Sequence, residues 1–269
     1  MIGTGPGIQY DGPRAPAIRG KAMEKTGYAA LVLVIMTAGL LSPSNAEAAD
    51  DEIRLTFLGT GAPRPSERRY GPSILVEAGD YKILVDAGPG MRERLFQAGG
   101  FELFTAVDHM LITHLHFDHT ISAPGLWLTG WLFGRKEPMK VFGPVGTTAM
   151  MEHFQAAYQW DISYRTIVGV HEEGSRIIAK DIEPGVFFDQ DGLRITAFNV
   201  EHMPIDIETG ESLGLDGATI GYRIDYGGRS VLFSGDTRST PDSEIIEVGK
   251  GVDVLIPVSY THLRAHETI

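Results

Sequence analysis

Four side chains able to bind a metal ion fall within six residues of one another. They are His114, His116, Asp118 and His119 in the run Thr113-His-Leu-His-Phe-Asp-His119. The run follows a short apolar stretch, 109–113, that reads as a β-strand. On extended backbone His114 and His116 point the same way, whereas Asp118 and His119 sit where the chain curls into a loop or helix start. One strand end can therefore offer two neighbouring sets of ligands. Imidazole and carboxylate donors suit Zn²⁺, with Fe or Mn as alternatives. A loop of solvated histidines explains any one of these residues but not the cluster. The chain has no Cys, which excludes thiolate ligation, a cysteine nucleophile and a disulfide framework. Three further residues are candidates by type and setting: Asp86 in Leu84-Val-Asp-Ala-Gly-Pro-Gly90, His202 in Asn199-Val-Glu-His202, and Asp236 in Ser234-Gly-Asp-Thr237. Taken singly, each acid could be a turn residue, and His202 a satisfied core histidine.

His-x-His-x-Asp-His is the signature of the metallo-β-lactamase-fold hydrolases, and the order of the other segments is similar to that family over residues 53–256. Leu58-Gly-Thr-Gly61 and the Asp86 segment resemble its opening motifs, and Asn199-Val-Glu-His202 its third. Gly221-Tyr-Arg-Ile224 and Ser234-Gly-Asp236-Thr237 resemble the ribonuclease Z and arylsulfatase-like branch. The resemblance implies an α/β (α+β) fold, a four-layer αβ/βα sandwich with its second half incomplete. It implies that His114, His116 and His202 hold one ion, that Asp118 and His119 hold a second and carry the catalysis, and that Asp236 bridges the two. Asp86 then orients a ligand imidazole and fixes its tautomer, with Thr237 just behind the ligands. Two such cations, expected to be Zn²⁺, ionise a shared water to hydroxide near neutral pH and clamp a substrate oxygen. The family also expects a last histidine ligand after the strand that ends at Ile256; His262 and His266 follow, but they lie in the adapter-like tail, residues 257–269, and are not taken as that ligand. The expectation is therefore a weakly held second ion and low activity in this chain.

The elements that must position these residues follow from apolar periodicity. Residues 53–58, 73–77, 81–85, 193–200, 219–225, 230–233 and 252–256 read as strands, the second and third as a hairpin about Ala-Gly-Asp80. Residues 91–98 read as a short helix ended by Gly99-Gly100, and 147–159 as another helix. Strands dominate, with helices between the later ones, so two packed sheets covered by helices are expected. His109 and His153 read as structural, and His171 with Glu172-Glu173 as a solvated loop. Trp127, Trp131 and Phe133, in an apolar stretch, have two readings: core packing, or the mouth of a pocket that contacts an apolar or aromatic leaving group.

The ends read differently from the centre. Met23-Glu-Lys25, the apolar run 28–41 and Ala46-Glu-Ala48 have the parts of a secretory signal peptide, too short to span a bilayer comfortably. Met23 is the expected start, with 1–22 an upstream over-read, the mature protein beginning near Ala49 in the periplasm or outside the cell, with no stable membrane insertion. Residues 257–269 look like one reading frame of a sequencing adapter. The expected hydrolase domain is therefore 50–256.

The chain has 269 residues and a net charge of −12. The two ends, 1–49 and 258–269, hold five basic and four acidic residues, so the rest carries −13. Nucleic-acid-binding faces neutralise phosphates with Lys and Arg, and only Arg64, Arg68 and Arg69 form a small basic patch. No long basic arm is present. The expected function is a secreted zinc hydrolase acting on a small ester-type substrate, such as a phosphodiester, aryl sulfate or lactone, with nucleic acid an unlikely partner and a homodimer an open alternative. Two other readings remain: a ribonuclease Z-type tRNA 3′-processing endonuclease, and a metal-binding protein with little activity because of truncation.

Overall fold

Apolar side chains on alternate strand positions meet face to face along the middle of the protein in the computed structural model. Val76, Ala78, Ile83, Val85 and Leu111 of one sheet pack on Ile195, Ala197, Tyr222, Ile224, Val231 and Phe233 of the other, all buried. Fully burying one such aliphatic or aromatic side chain contributes about 1.5–3 kcal/mol, so this double layer fixes the architecture. The chain divides into Met1–Ser44 and Asn45–Ile269. The structure describes residues 52–66, 68–202, 219–238 and 240–259, the last without its side chain, all in the second unit. The signal-like segment and residues 260–269 lie outside the described residues.

The first sheet runs in order β1 (Ile53–Gly59), β2 (Ser73–Ala78), β3 (Tyr81–Val85), β4 (His109–Leu111), β5 (Met139–Gly143) and β6 (Ile177–Asp181). The β1–β2–β3 pairs are antiparallel, with the tight Gly79-Asp80 hairpin, and β3 to β6 are parallel. Parallel neighbours need crossovers, supplied by α1 (Met91–Ala106), by α2 (Phe117–Thr120) with α3 (Ala123–Leu132), and by α4 (Thr147–Ala157) with α5 (Gln159–Ile167). These helices cover the outer face of the sheet through Met91, Leu95, Phe104, Leu126, Trp127, Trp131, Met151 and Ile162.

The second sheet has the order β11 (Val254–Ser259), β10 (Arg229–Thr237), β9 (Ile220–Tyr226), β8 (Leu193–Asn199) and β7 (Gly185–Gln190). Its outer face packs Phe198, Val200 and Leu232 against Ile245 and Val248 of α6 (Glu244–Val248). Helix, sheet, sheet and helix thus form the expected four layers. Residues 257–259 continue β11 alongside β10.

Gly99-Gly100 ends the first helical stretch of α1 as expected: both residues leave helical φ/ψ (Gly99 φ −169°, ψ 26°; Gly100 φ 63°, ψ −155°), and a second stretch then runs to Ala106 and buries Phe104. The helix expected at 147–159 is two helices meeting at Tyr158.

Candidate metal centre

The acidic turn after β3 comes first. Asp86 has φ 58°, a left-handed conformation that a short polar side chain tolerates. Its amide donates to Leu111 O (2.8 Å) and that of Ala87 to His119 O (2.7 Å), tying the turn to β4 and α2. So placed, the Asp86 carboxylate accepts three hydrogen bonds, each 2.8 Å: from Thr113 N, from Thr113 Oγ1 and from His119 Nδ1. Gly88 permits this closeness, since a Cβ there would lie 2.5 Å from Asp118 O.

Beyond β4 the chain crosses to the other sheet. His114 bridges to Thr219, and Ile220 N donates to Thr113 O at 2.9 Å. His114 and His116 then project together as the alternation implied, with His114 Nε2 2.9 Å from His116 Nδ1. His202, just after β8, brings Nε2 to 3.4 Å from His116 Nδ1 and 4.0 Å from Asp236 Oδ2. Asp236 arrives on β10 through an irregularity: between Phe233 and Asp236 the strand holds one more residue than β11 opposite. Gly235 takes φ 59° there, and a Cβ on it would come within 2.7 Å of the Thr113 Cβ.

His119 Nε2 lies 3.4 Å from Asp236 Oδ1 and 3.8 Å from Asp118 Oδ2. Among the described residues this buried nitrogen has no partner placed for a hydrogen bond, only these two ion-pair approaches. An orphaned buried nitrogen between two carboxylates fits a cation. Two donor groups, His114/His116/His202 and His114/His119/Asp236, each keep their ligand atoms within 4.8 Å of one another, and they share His114. The structure thus gathers His114, His116, Asp118, His119, His202 and Asp236 in one pocket, with Asp86 and Thr113 behind. Thr237 is buried next to Asp236 at the end of β10.

Proton affinities diverge across the cluster. Burial, then the neighbouring His119, His116 and His202, push His114 down to about 2, which leaves a neutral base. Burial opposes charge on His119 as well, but Asp86 and Asp236 outweigh it and raise that imidazole to about 10. His202 is lowered, mainly by burial.

The other candidates lie elsewhere. Trp127 and Trp131 are core residues, 1% and 2% exposed, with indole nitrogens bonded to the carbonyls of Ser175 and His171. Phe133 stacks on Phe101 at 3.8 Å on the surface. The pocket-mouth reading of the two tryptophans therefore fails: the inward stripe of α3 faces the sheet. His153 and His171 are exposed. His109 is buried in the sheet against Asp108 (2.6 Å) and below Tyr81. Two contributors had no role assigned from sequence, Thr113 and Gly235. Both stand inside the quoted motifs, but only the convergence of the strands shows what they touch.

This fold and this cluster agree with the comparisons. The Beta-lactamase superfamily domain matches residues 81–267, and the chain belongs to that superfamily, in its ribonuclease Z branch. Its relatives include the "Ribonuclease Z" of Mycobacterium sp. (strain KMS), 32% identical over 204 residues, which are 74% of this chain and 66% of the relative. That of Mycolicibacterium paratuberculosis is 33% identical over 210 residues, 76% of this chain and 69% of the relative. The chain thus spans just under two thirds of the Mycobacterium sp. protein. Among solved structures, human tRNase Z, short form, has a TM-score of 0.55 at 23% identity over 75% of this chain and 76% of that one. The metallo-beta-lactamase fold protein YhfI from Bacillus subtilis has 0.55 at 18% identity over 76% and 70%. Both show the same fold.

The ribonuclease Z relatives overturn two expectations: the secreted hydrolase of small esters, and nucleic acid as an unlikely partner. Both leaned on net charge, which is a property of the whole surface, whereas phosphate is gripped locally. The exposed Arg64, Arg68 and Arg69 stand on the β1–β2 loop. That loop is pinned to the site by Gly71 N bonding to Pro89 O at 2.9 Å and Gly88 N to Pro72 O at 3.0 Å.

Proposed function

We propose that the protein is a divalent-metal-dependent endonuclease of the ribonuclease Z type, hydrolysing a phosphodiester bond during tRNA 3′ processing. The observation that carries the reading is the buried His119 Nε2, without a hydrogen-bond partner among the described residues, between Asp118 and Asp236 and beside the His114/His116/His202 group, in a chain whose relatives are named Ribonuclease Z. His114, His116 and His202 would hold one ion; Asp118, His119 and Asp236 would form the second position. The nitrogen and oxygen donors suit zinc. When bound, such ions supply Lewis acidity to a phosphoryl group and favour ionised water at neutral pH.

The chain's own residues have separate tasks. Asp86 holds His119 by Nδ1, so that Nε2 faces the pocket. His114, kept neutral, presents a lone pair. Arg64, Arg68 and Arg69 offer positive charge to the RNA backbone at the rim, the kind of contact that positions a substrate without reading its sequence.

Incubating the protein with a precursor tRNA carrying a 3′ trailer, with added Zn²⁺ or Mn²⁺, tests the reading. The expected result is one cut at the end of the acceptor stem. His116→Ala should lose bound metal and lower cleavage by more than the roughly 10–100-fold typical of changes beside the ligands. Intact precursor alongside hydrolysis of chromogenic phosphodiester, aryl sulfate or lactone substrates would refute it. The signal-like segment supplies a second test, because tRNA matures in the cytoplasm. A mature N-terminus near Ala49 in an exported fraction would also count against the tRNA reading.

A further inference from the structure

Thr113 stands between the acidic turn and the metal cluster, and its hydroxyl touches both. It is 1% exposed. Oγ1 lies 2.8 Å from Asp86 Oδ2 and 3.1 Å from His114 Nδ1. A threonine hydroxyl has one proton to give, and an ionised carboxylate can only accept. The hydroxyl proton therefore goes to Asp86, and Oγ1 is left to accept from His114. That requires the proton of neutral His114 on Nδ1 and the lone pair on Nε2, which faces His116 Nδ1 at 2.9 Å. Meanwhile the same Asp86 oxygen takes the Nδ1 proton of His119 directly, which turns His119 Nε2 toward Asp118 and Asp236.

We propose that Thr113 is a positioning residue through which Asp86 fixes the tautomer of His114, so that one carboxylate aims an imidazole from each donor group into the metal pocket. The proposal rests on the metal-dependent reading above. Side-chain rotation cannot easily undo the arrangement. The Thr113 amide is held by Asp86 Oδ1, its carbonyl by Ile220 N, and Gly235 packs against its Cβ. With χ1 of a β-branched residue already stiff, the hydroxyl has one place to be.

Two measurements on the full chain test this. In the metal-stripped wild type, ¹⁵N–¹H spectra of the histidine rings should show His114 as the Nδ1–H tautomer; an Nε2–H tautomer would overturn the proposal. Thr113→Val keeps the branched shape and removes the hydroxyl, and should weaken Zn²⁺ binding, read by chelator competition, by roughly 10–100-fold. Thr113→Ser should restore it to within about threefold. Wild-type affinity in a folded Thr113→Val protein would overturn the proposal, and so would a Thr113→Ser protein as weak as Thr113→Val. If Thr113→Val does not fold, the wild-type spectrum and the serine variant still decide. Failure of the wild type to bind zinc at all would instead count against the metal-dependent reading itself.

Discussion

His114 and His119 show how two identical side chains acquire opposite proton affinities from their surroundings. His114 is buried among imidazoles and is a neutral base, whereas His119 is buried between carboxylates and, without metal, remains protonated to about pH 10. A raised affinity for protons means that a cation must displace one. Below about pH 10, zinc uptake at the His119 position should release close to one proton, and apparent affinity should rise with pH. Calorimetry in two buffers of different ionisation enthalpy measures that number, and Asp236→Asn should reduce it. At this scale the sequence named the residues that the fold brings together. The His-x-His-x-Asp-His run and the three separate candidates converge as the family pattern implied. It was silent on which atoms face inward, because Nε2 of His119 is selected by Asp86, 33 residues earlier.

Strands and helices put these atoms in register, and two of them do so by local exceptions. Gly235 sits at φ 59° in the irregular part of β10, hard against Thr113. Gly235→Ala should cost about 1–3 kcal/mol, from backbone strain and the displaced threonine, and should weaken zinc binding as well; denaturant melts and chelator competition measure the two. At the start of α4, Asp181 accepts from Gly146 N (2.9 Å) and Thr148 N (2.7 Å). Burial works against its ionisation, but these amides outweigh it and hold the carboxyl below the usual carboxylate range. A lowered folded pKa stabilises at pH above about 4 and is lost as pH falls through the lower value. Asp181→Ala should therefore cost about 1 kcal/mol at pH 7, a deficit in Tm that closes in strong acid. Helix α4 was legible from its period, whereas β6 and β7 were not. They are edge strands, half exposed and mixed in polarity, so alternation is too weak to mark them. The second helical stretch after Gly99-Gly100, which buries Phe104, was equally hidden.

Across the whole molecule, the donors come from both sheets. His114, His116, Asp118 and His119 follow β4, while His202 follows β8 and Asp236 lies on β10. Ligands that bind only the folded state stabilise it by mass action. Zinc at about a hundred times its Kd should add roughly 2.7 kcal/mol, and stripping it with a chelator should lower Tm by about 5–10 °C. Sandwich architecture was foreseeable from strand-rich halves with interspersed helices, but charge misled, because summing over the surface hides where the arginines stand. The two halves also touch through backbone at the site itself, where Thr113 bonds to Ile220 and His114 bridges to Thr219. Under tension applied across that seam in a single-molecule pulling experiment, an occupied centre would act as a rivet. The rupture force would then report the metal load of each individual molecule before any RNA is added.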